Sequence, residues 1–466
     1  MKDFLRIVDP KITFQISPYL PFLKKGRGDY LIFIRFICLI VAIFFSHHCY
    51  AEDTSKMLTL SEGLRLATDN NHLVKIASFN KAIASADTSI AKSKLLPNIQ
   101  ASFSQTFLAH QPGAIFGPQR VFVSQKDFLS YGINVHQTIY DFGANISRYN
   151  ASKTYVDLTN LDLVRIKNLV ALDFINTYFD LLEAERMVGV AQKEAERLEA
   201  HLKVAQSLYA EGVITKNDLL QAEVMLSDAR QRLLTIKNRR ATSTSKLNTI
   251  LARPITTEIQ VVDVTTDVPE DMELEKAWET AEQERSEIKI LDHELRILSL
   301  QETVLKSEYY PQLFARGGYN FTENRYQFPE GNWSFILGMN IDLFSGGSTR
   351  AEVSKILYQR DQLQEEKSKL MDDITFEVEK SYLDLKNAME KIQVTKDSVD
   401  QAEENLRINK IRYEEGIGTS TDVVDAITLL AKAETNYYTA VYELKRGYAG
   451  LQYAMGLDLV SSFVNQ

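Results

Sequence analysis

The most specific side-chain spacing in this chain occurs twice. "YAEGVITKNDLLQAEV" at 209–224 and "YEEGIGTSTDVVDAIT" at 413–428 share Tyr209 with Tyr413, Gly212 with Gly416, Thr215 with Thr419, Asp218 with Asp422 and Ala222 with Ala426, all at one constant offset. A Thr followed three residues later by an acid can exchange hydrogen bonds with the backbone at a helix start. A Gly just before it is the residue that closes a preceding helix in a left-handed conformation. The chemistry assigned to Thr215, Asp218, Thr419 and Asp422 is therefore helix capping, which turns one helix back into the next. Asp425 falls outside this scheme, because Gln221 stands at its place in the first copy. Asp422 and Asp425 lie three apart and share a helix face.

Side chains for catalysis or metal binding are not grouped anywhere. His72, His110, His136, His201 and His293 are far apart, no paired-His metal spacing occurs, and no phosphate-cradling glycine loop is present. Acids are spread along helical stretches as solvated faces. An enzyme is not expected, and neither a cofactor nor a metal site is. Both cysteines, Cys38 and Cys49, lie near the N-terminus, so a disulfide scaffold is excluded for the remainder. The formal net charge of −9 opposes binding to nucleic acid.

The duplicated turns belong to a larger repeat. "SKLLPNIQASFSQTF" at 93–107 answers "SEYYPQLFARGGYNF" at 307–321, and "TIYDFG" at 138–143 answers "DLFSGG" at 342–347. The copies differ in length between these motifs, where "HQPGAIFGPQR" at 110–120 has the Pro and Gly of a loop. From 143 to 212 there is no Pro, and Leu161, Val164, Leu172, Ile175, Phe179 and Leu182 keep helical spacing. A helix of that length reaches roughly 100 Å, and its equivalent runs over 348–414. Shorter helices are expected over 59–96, 216–251, 274–310 and 420–455, roughly 55 Å each. Two of these stacked end to end match one long helix, which defines a hairpin in each copy.

Between the helices the period changes to two. Ile99, Ala101, Phe103 and Phe107 alternate with polar residues, as do Tyr131, Ile133, Val135 and Ile139. In the second copy Leu313, Ala315, Tyr319 and Phe321 oppose Arg316 and Asn320, and Trp333, Phe335, Leu337, Met339, Ile341 and Leu343 oppose Ser334, Gly338, Asn340 and Asp342. A half-buried antiparallel sheet gives the same alternation. Strand lengths near the roughly 9–11 residues that cross a bilayer, with aromatics toward the ends, favour a membrane barrel.

Residues 1–51 read as a secretory signal peptide: Lys24, Lys25, Arg27 and Arg35, then "FICLIVAIFF", then "CYA" ending at Ala51. A retained anchor is the alternative, and "SHHC" lacks the small and apolar residues expected before a lipid-modified Cys49. Residues 52–252 form the first repeat, 253–272 a connector, 273–456 the second repeat and 457–466 a C-terminal tail. Four membrane strands in one chain leave two open edges, which hydrocarbon does not tolerate. Chains must then share closure. Two give eight strands with a filled interior, and three give twelve with a passage.

The doubled G-x-x-T-x-x-D turns, the Pro-led strands and "LFSGG" ahead of a very long helix resemble the TolC-like outer membrane efflux protein family, over about 58–456. The resemblance implies a homotrimer with a twelve-stranded β-barrel in the outer membrane, continued by a long α-helical barrel across the periplasm. It further implies contact with outer membrane lipid, a periplasmic adaptor (membrane fusion) protein and an inner membrane pump of the RND or ABC type. The duct would serve drug efflux or type I secretion. The family's tips close like an iris, and by position Tyr413, Asp422 and Asp425 would contribute to that gate. Gly212, Val213, Thr215, Gly416, Ile417 and Thr419 would contact the adaptor. Gly418 departs from the TolC-type pattern, where a basic residue braces the closed tip. The competing reading is a periplasmic coiled-coil adaptor or scaffold, which shares the helices but has no use for strands with a lipid-like face.

Overall fold

The computed structural model describes residues 57–264 and 272–464. The signal peptide, with its cleavage position and Cys49, lies outside the described residues, as do residues 265–271 of the connector. Each copy holds the same series, apart from an extra pair of short strands in the first. The first runs α1 (Leu60–Asn70), α2 (His72–Ser93), β1 (Asn98–Phe107), β2 (Gly113–Phe116), β3 (Gln119–Phe122), β4 (Asp127–Tyr140), α3 (Ala144–Ala210) and α4 (Lys216–Ile250). The second runs α5 (Leu274–Glu284), α6 (Ser286–Ser307), β5 (Gln312–Thr322), β6 (Gly331–Asn340), α7 (Ser348–Glu414) and α8 (Ser420–Ala454). A short α9 (Leu459–Val464) follows. Helices α3 and α7 have 67 residues each and α4 and α8 have 35 each, so the duplication holds to the residue.

Two expectations need correction. The stretches 59–96 and 274–310 are not single helices, because each breaks once. Asn71 ends α1 and caps α2, accepting from the Leu73 N–H at 2.8 Å while its amide donates to the Ile250 carbonyl at 2.9 Å. Arg285 makes the equivalent break in extended conformation, and its guanidinium donates to the Tyr453 and Ala454 carbonyls at the end of α8. Partners far away in sequence thus hold both interruptions. The loop at 110–120 also contains a hairpin, β2 paired with β3, turning through Gly117 at φ 59°.

The main sheet is antiparallel, with the order β1-β4-β5-β6. Ile99 pairs with Val135, Ile133 with Tyr319, and Tyr319 with Trp333, so the expected apolar residues of both copies share one face. A bulge between Thr138 and Tyr140 shifts the register, so Tyr140 rather than Ile139 takes the place opposite Leu313.

The main core is helical. Phe174, Ile175, Tyr178, Phe179 and Leu181 of α3 are fully buried with Leu64, Leu247, Leu251, Tyr442 and Leu451. Leu459 and Phe463 of α9 join them, so the C-terminal segment is part of this core. The Tyr178 hydroxyl donates to the Leu58 and Val262 carbonyls (2.9 and 2.7 Å) and accepts from the Val262 N–H (3.1 Å). Asp263 follows, taking Arg186 at 2.9 Å, the Tyr442 hydroxyl at 3.0 Å and Lys445 at 2.9 Å. Burial alone would raise the Asp263 carboxyl, but the Lys445 and Arg186 hydrogen bonds outweigh it and hold the group below its ordinary value. The start of the connector is thereby fastened to both copies.

Candidate functional site

Two regions carry unusual side chains: the sheet and the turns between long and short helices. On the sheet, large apolar groups face outward. Phe103, Phe107, Trp333, Phe335 and Leu337 are each more than 70% exposed, the mark of a face that meets a membrane or another protein. Aromatics gather toward both ends of this face. Tyr131 stacks on Phe321 at 4.7 Å and Tyr319 meets Trp333 at 5.3 Å near the loops. Near the helices, Phe142 stacks on Tyr310 at 4.7 Å and meets Tyr140 edge-on at 4.8 Å. From Tyr131 to Tyr140 the strand covers roughly 30 Å, and a tilt near 40–45° brings the aliphatic band close to the ~25 Å of barrel walls.

The other face is polar and flat. Asn134 and Asn320 exchange hydrogen bonds at 3.1 Å across β4 and β5. A Cβ on Gly132 would collide with the Asn320 amide, and one on Gly318 with that of Asn134. Glycine at these positions gives the amides a seat against the backbone. The Phe314 ring likewise occupies the space a side chain on Gly338 would need. Edge strands β1 and β6 each have one neighbour in the sheet.

Each turn is built as its spacing dictates. Gly212 (φ 78°) and Gly416 (φ 74°) take the left-handed conformation, and Val213 N–H and Ile417 N–H donate back to the Leu208 and Arg412 carbonyls at 2.9 Å. Thr215 and Thr419 cap α4 and α8 by accepting from the Asp218 and Asp422 N–H groups at 3.3 and 3.2 Å. In return the acids accept from the Thr N–H groups at 3.1 and 2.9 Å. That bond, first from the backbone and then from the side chain of Thr419, lowers the Asp422 pKa. Val213 and Ile417 are 61% and 71% exposed at the apices.

The gate candidates do not form one cluster. Tyr413 is buried against Leu198, Leu406, Val423 and Ile427 within its own chain. Asp422 is occupied by its cap, whereas Asp425 is exposed and has no ion-pair partner among the described residues. Gly418 donates to the Arg412 carbonyl at 2.9 Å, and a Cβ there would stand only 3.1 Å from the Tyr413 nitrogen. The close backbone packing accounts for glycine in place of a basic residue.

One contact escaped the spacing. His201 Nε2 lies 2.8 Å from Ser420 Oγ, and the imidazole is 5.1 Å from the Tyr413 ring. Burial raises the Tyr413 hydroxyl and lowers His201, the latter helped by Lys410. His201 sits inside α3 at a position with no chemical signature of its own, so its partner 219 residues away was not legible.

Among the described residues no group of His, Cys, Asp or Glu could hold a metal, and no helix is long and apolar enough to cross a membrane. The sheet has one face suited to hydrocarbon and one to water, and the turns are capped helix reversals.

Comparisons with known proteins agree on the kind of molecule. Nodulation protein T of Rhizobium leguminosarum bv. trifolii is 20% identical over 390 residues, covering 80% of each chain. The alkaline protease secretion protein AprF of Pseudomonas aeruginosa is 20% identical over 426 residues, covering 87% of each. The crystal structure of the CmeC outer membrane channel of Campylobacter jejuni matches with a TM-score of 0.77 at 17% identity, over 85% of both chains. The outer membrane efflux protein model matches residues 63–253 and 278–457, most of both repeats. The chain belongs to the outer membrane efflux protein family.

Proposed function

We propose that three copies of this chain form a duct through the outer membrane and into the periplasm, passing cargo outward from an inner membrane pump. The observation that carries this reading is the four-stranded sheet, with one continuous exposed apolar face and an open edge at each side. Unpaired edges in hydrocarbon leave backbone groups without hydrogen bonds, so β1 of one chain pairs with β6 of the next. Three chains give twelve strands and a passage. Helices α3, α4, α7 and α8, with α2 and α6, continue this wall as an α-helical barrel.

The doubled turns form the periplasmic end. Val213 and Ile417, with Gly212, Thr215, Gly416 and Thr419 shaping their turns, face a periplasmic adaptor. The exposed Asp425 carboxylates are the main polar ring of the closure, and Tyr413 acts by packing. Asp422 serves chiefly as the cap of α8. AprF is by name a protease secretion protein, which favours polypeptide export through an ABC-type pump. The family's description equally supports efflux of small compounds through an RND-type pump.

The sheet argues against the adaptor or scaffold reading, since such a protein would gain nothing from exposing Trp333, Phe335 and Leu337. The test is extraction and reconstitution of the full chain. A channel remains with outer membranes, needs detergent, runs as a heat-modifiable trimer and opens conducting pores in planar bilayers. A monodisperse monomer from osmotic shock fluid would overturn the proposal. In pores that do open, Asp425→Ala is expected to lower cation preference, and unchanged selectivity would remove Asp425 from the gate.

A further inference from the structure

We propose that Arg316 is an anion-attracting station in the wall of the duct, raising the share of anions that pass against the cation preference set by Asp425 at the tip. The inference rests on the barrel reading above. Within β1, β4, β5 and β6 the charged side chains are Asp127, at the first position of β4, and Arg316, in the middle of β5, with His136 as the single imidazole. Asp127 pairs with Phe107 at the loop end, on the apolar side of the register. Arg316 pairs with His136 on one side and Ile336 on the other, in the polar-face register that also holds Asn134, Asn320 and Ser334. Within the strand bounds the polar face therefore bears Arg316 and no carboxylate among the described residues; Asp342, in the same alternation, follows the end of β6.

The guanidinium is positioned rather than loose. Its centre lies 5.6 Å from the Phe314 ring, and that ring stacks on the His136 imidazole at 5.8 Å with 16° between planes. Gly338 leaves the room in which Phe314 lies. A cation over an aromatic face keeps its charge and its direction. Arg316 is exposed and makes no ion pair among the described residues, so its field reaches the solvent uncompensated. Three chains would place three guanidinia, each beside an imidazole, on one belt of a passage walled by hydrocarbon. Low-dielectric walls focus such a field, and rings of arginine select anions in pores generally.

The experiment measures reversal potentials of the full-length trimer in planar bilayers across KCl gradients, for wild type, Arg316→Lys, Arg316→Gln and Arg316→Glu. At about 10 mM salt, where screening extends about 30 Å, Gln is expected to lower the chloride-to-potassium permeability ratio about twofold or more. Glu should lower it further, and Lys should retain the wild-type value. At 1 M salt, with screening near 3 Å, the four proteins should converge. His136→Asp, which sets a carboxylate opposite Arg316, should reproduce the loss without removing the arginine. Pores of equal conductance and identical low-salt reversal potential in every variant would overturn the proposal. If wild type itself runs as a monomer and opens no pores, the barrel reading fails instead.

Discussion

His201 Nε2 stands 2.8 Å from Ser420 Oγ, so the long helix of the first repeat is joined directly to the first turn of the second repeat's short helix. Burial, with Lys410 nearby, holds the imidazole below its ordinary value of 6.5. In the unfolded chain the ring takes up a proton as pH falls through 6.5, while in the folded tip it resists. Stability of the tip is therefore constant above that pH and declines below it. Protection factors of amides in the first turns of α8, taken relative to intrinsic exchange at each pH, are expected to fall on acidification from pH 7.5 to 5.5. His201→Gln should remove most of this pH dependence.

The Tyr178 hydroxyl is the joint between α3 and the connector, with bonds to Leu58 and Val262, and burial pushes its pKa up to about 12. Tyr178→Phe leaves buried backbone groups without their partner and should cost about 1–3 kcal/mol. Denaturant unfolding followed by helical circular dichroism is the measurement. An unchanged midpoint would mean that water replaces the hydroxyl.

Arg285 has an 8% exposed side chain, with Glu377 at 2.9 Å and the carbonyls of Tyr453 and Ala454 as acceptors. Arg285→Ala removes the cation and leaves those acceptors behind. Glu377 is 42% exposed and can turn to solvent, so the expected cost is about 2–4 kcal/mol, below that of a fully enclosed pair. The loss should appear as a lower unfolding midpoint with accelerated exchange at the end of α8.

Phe142 adopts φ 50°, a left-handed conformation that the second repeat fills with Gly346, yet it stacks on Tyr310. Conformation and stacking pull in opposite directions. Phe142→Ala loses the stack and keeps the strain, whereas Phe142→Gly loses the stack and relieves the strain. The glycine variant is expected to be about 1 kcal/mol more stable than the alanine variant, read from the midpoints of denaturant unfolding.

At the tip, Thr215→Ala should cost about 1 kcal/mol in the local stability of α4, because the Asp218 N–H loses its acceptor and the Asp218 carboxylate loses the hydroxyl that donates to it at 2.8 Å. Thr215→Ser should retain nearly all of it. Exchange rates at Asp218 and Leu219 would reveal the difference.

Much of this molecule was legible in the sequence because its determinants are local. Gly212 with Thr215 and Gly416 with Thr419 set their turns within a few residues, and alternation set which face of each strand is greasy. The interruptions at Asn71 and Arg285 were not legible, because neither residue breaks a helix alone. Each does so here because carbonyls at the ends of α4 and α8 supply distant acceptors. The hairpin β2–β3 was hidden for a related reason: Pro112, Gly113, Gly117 and Pro118 read as an irregular loop. At the candidate site, Asp422 was legible as a cap, while the burial of Tyr413 beside His201 depends on packing between repeats.

The glycines beneath Asn134, Asn320 and Phe314 let those side chains lie over the neighbouring strand, flat against the sheet. A lining of this kind has low relief. In the proposed duct, bulky cargo moving along it would meet few ledges on which to catch, and alanine at Gly132 or Gly318 would narrow the bore from within.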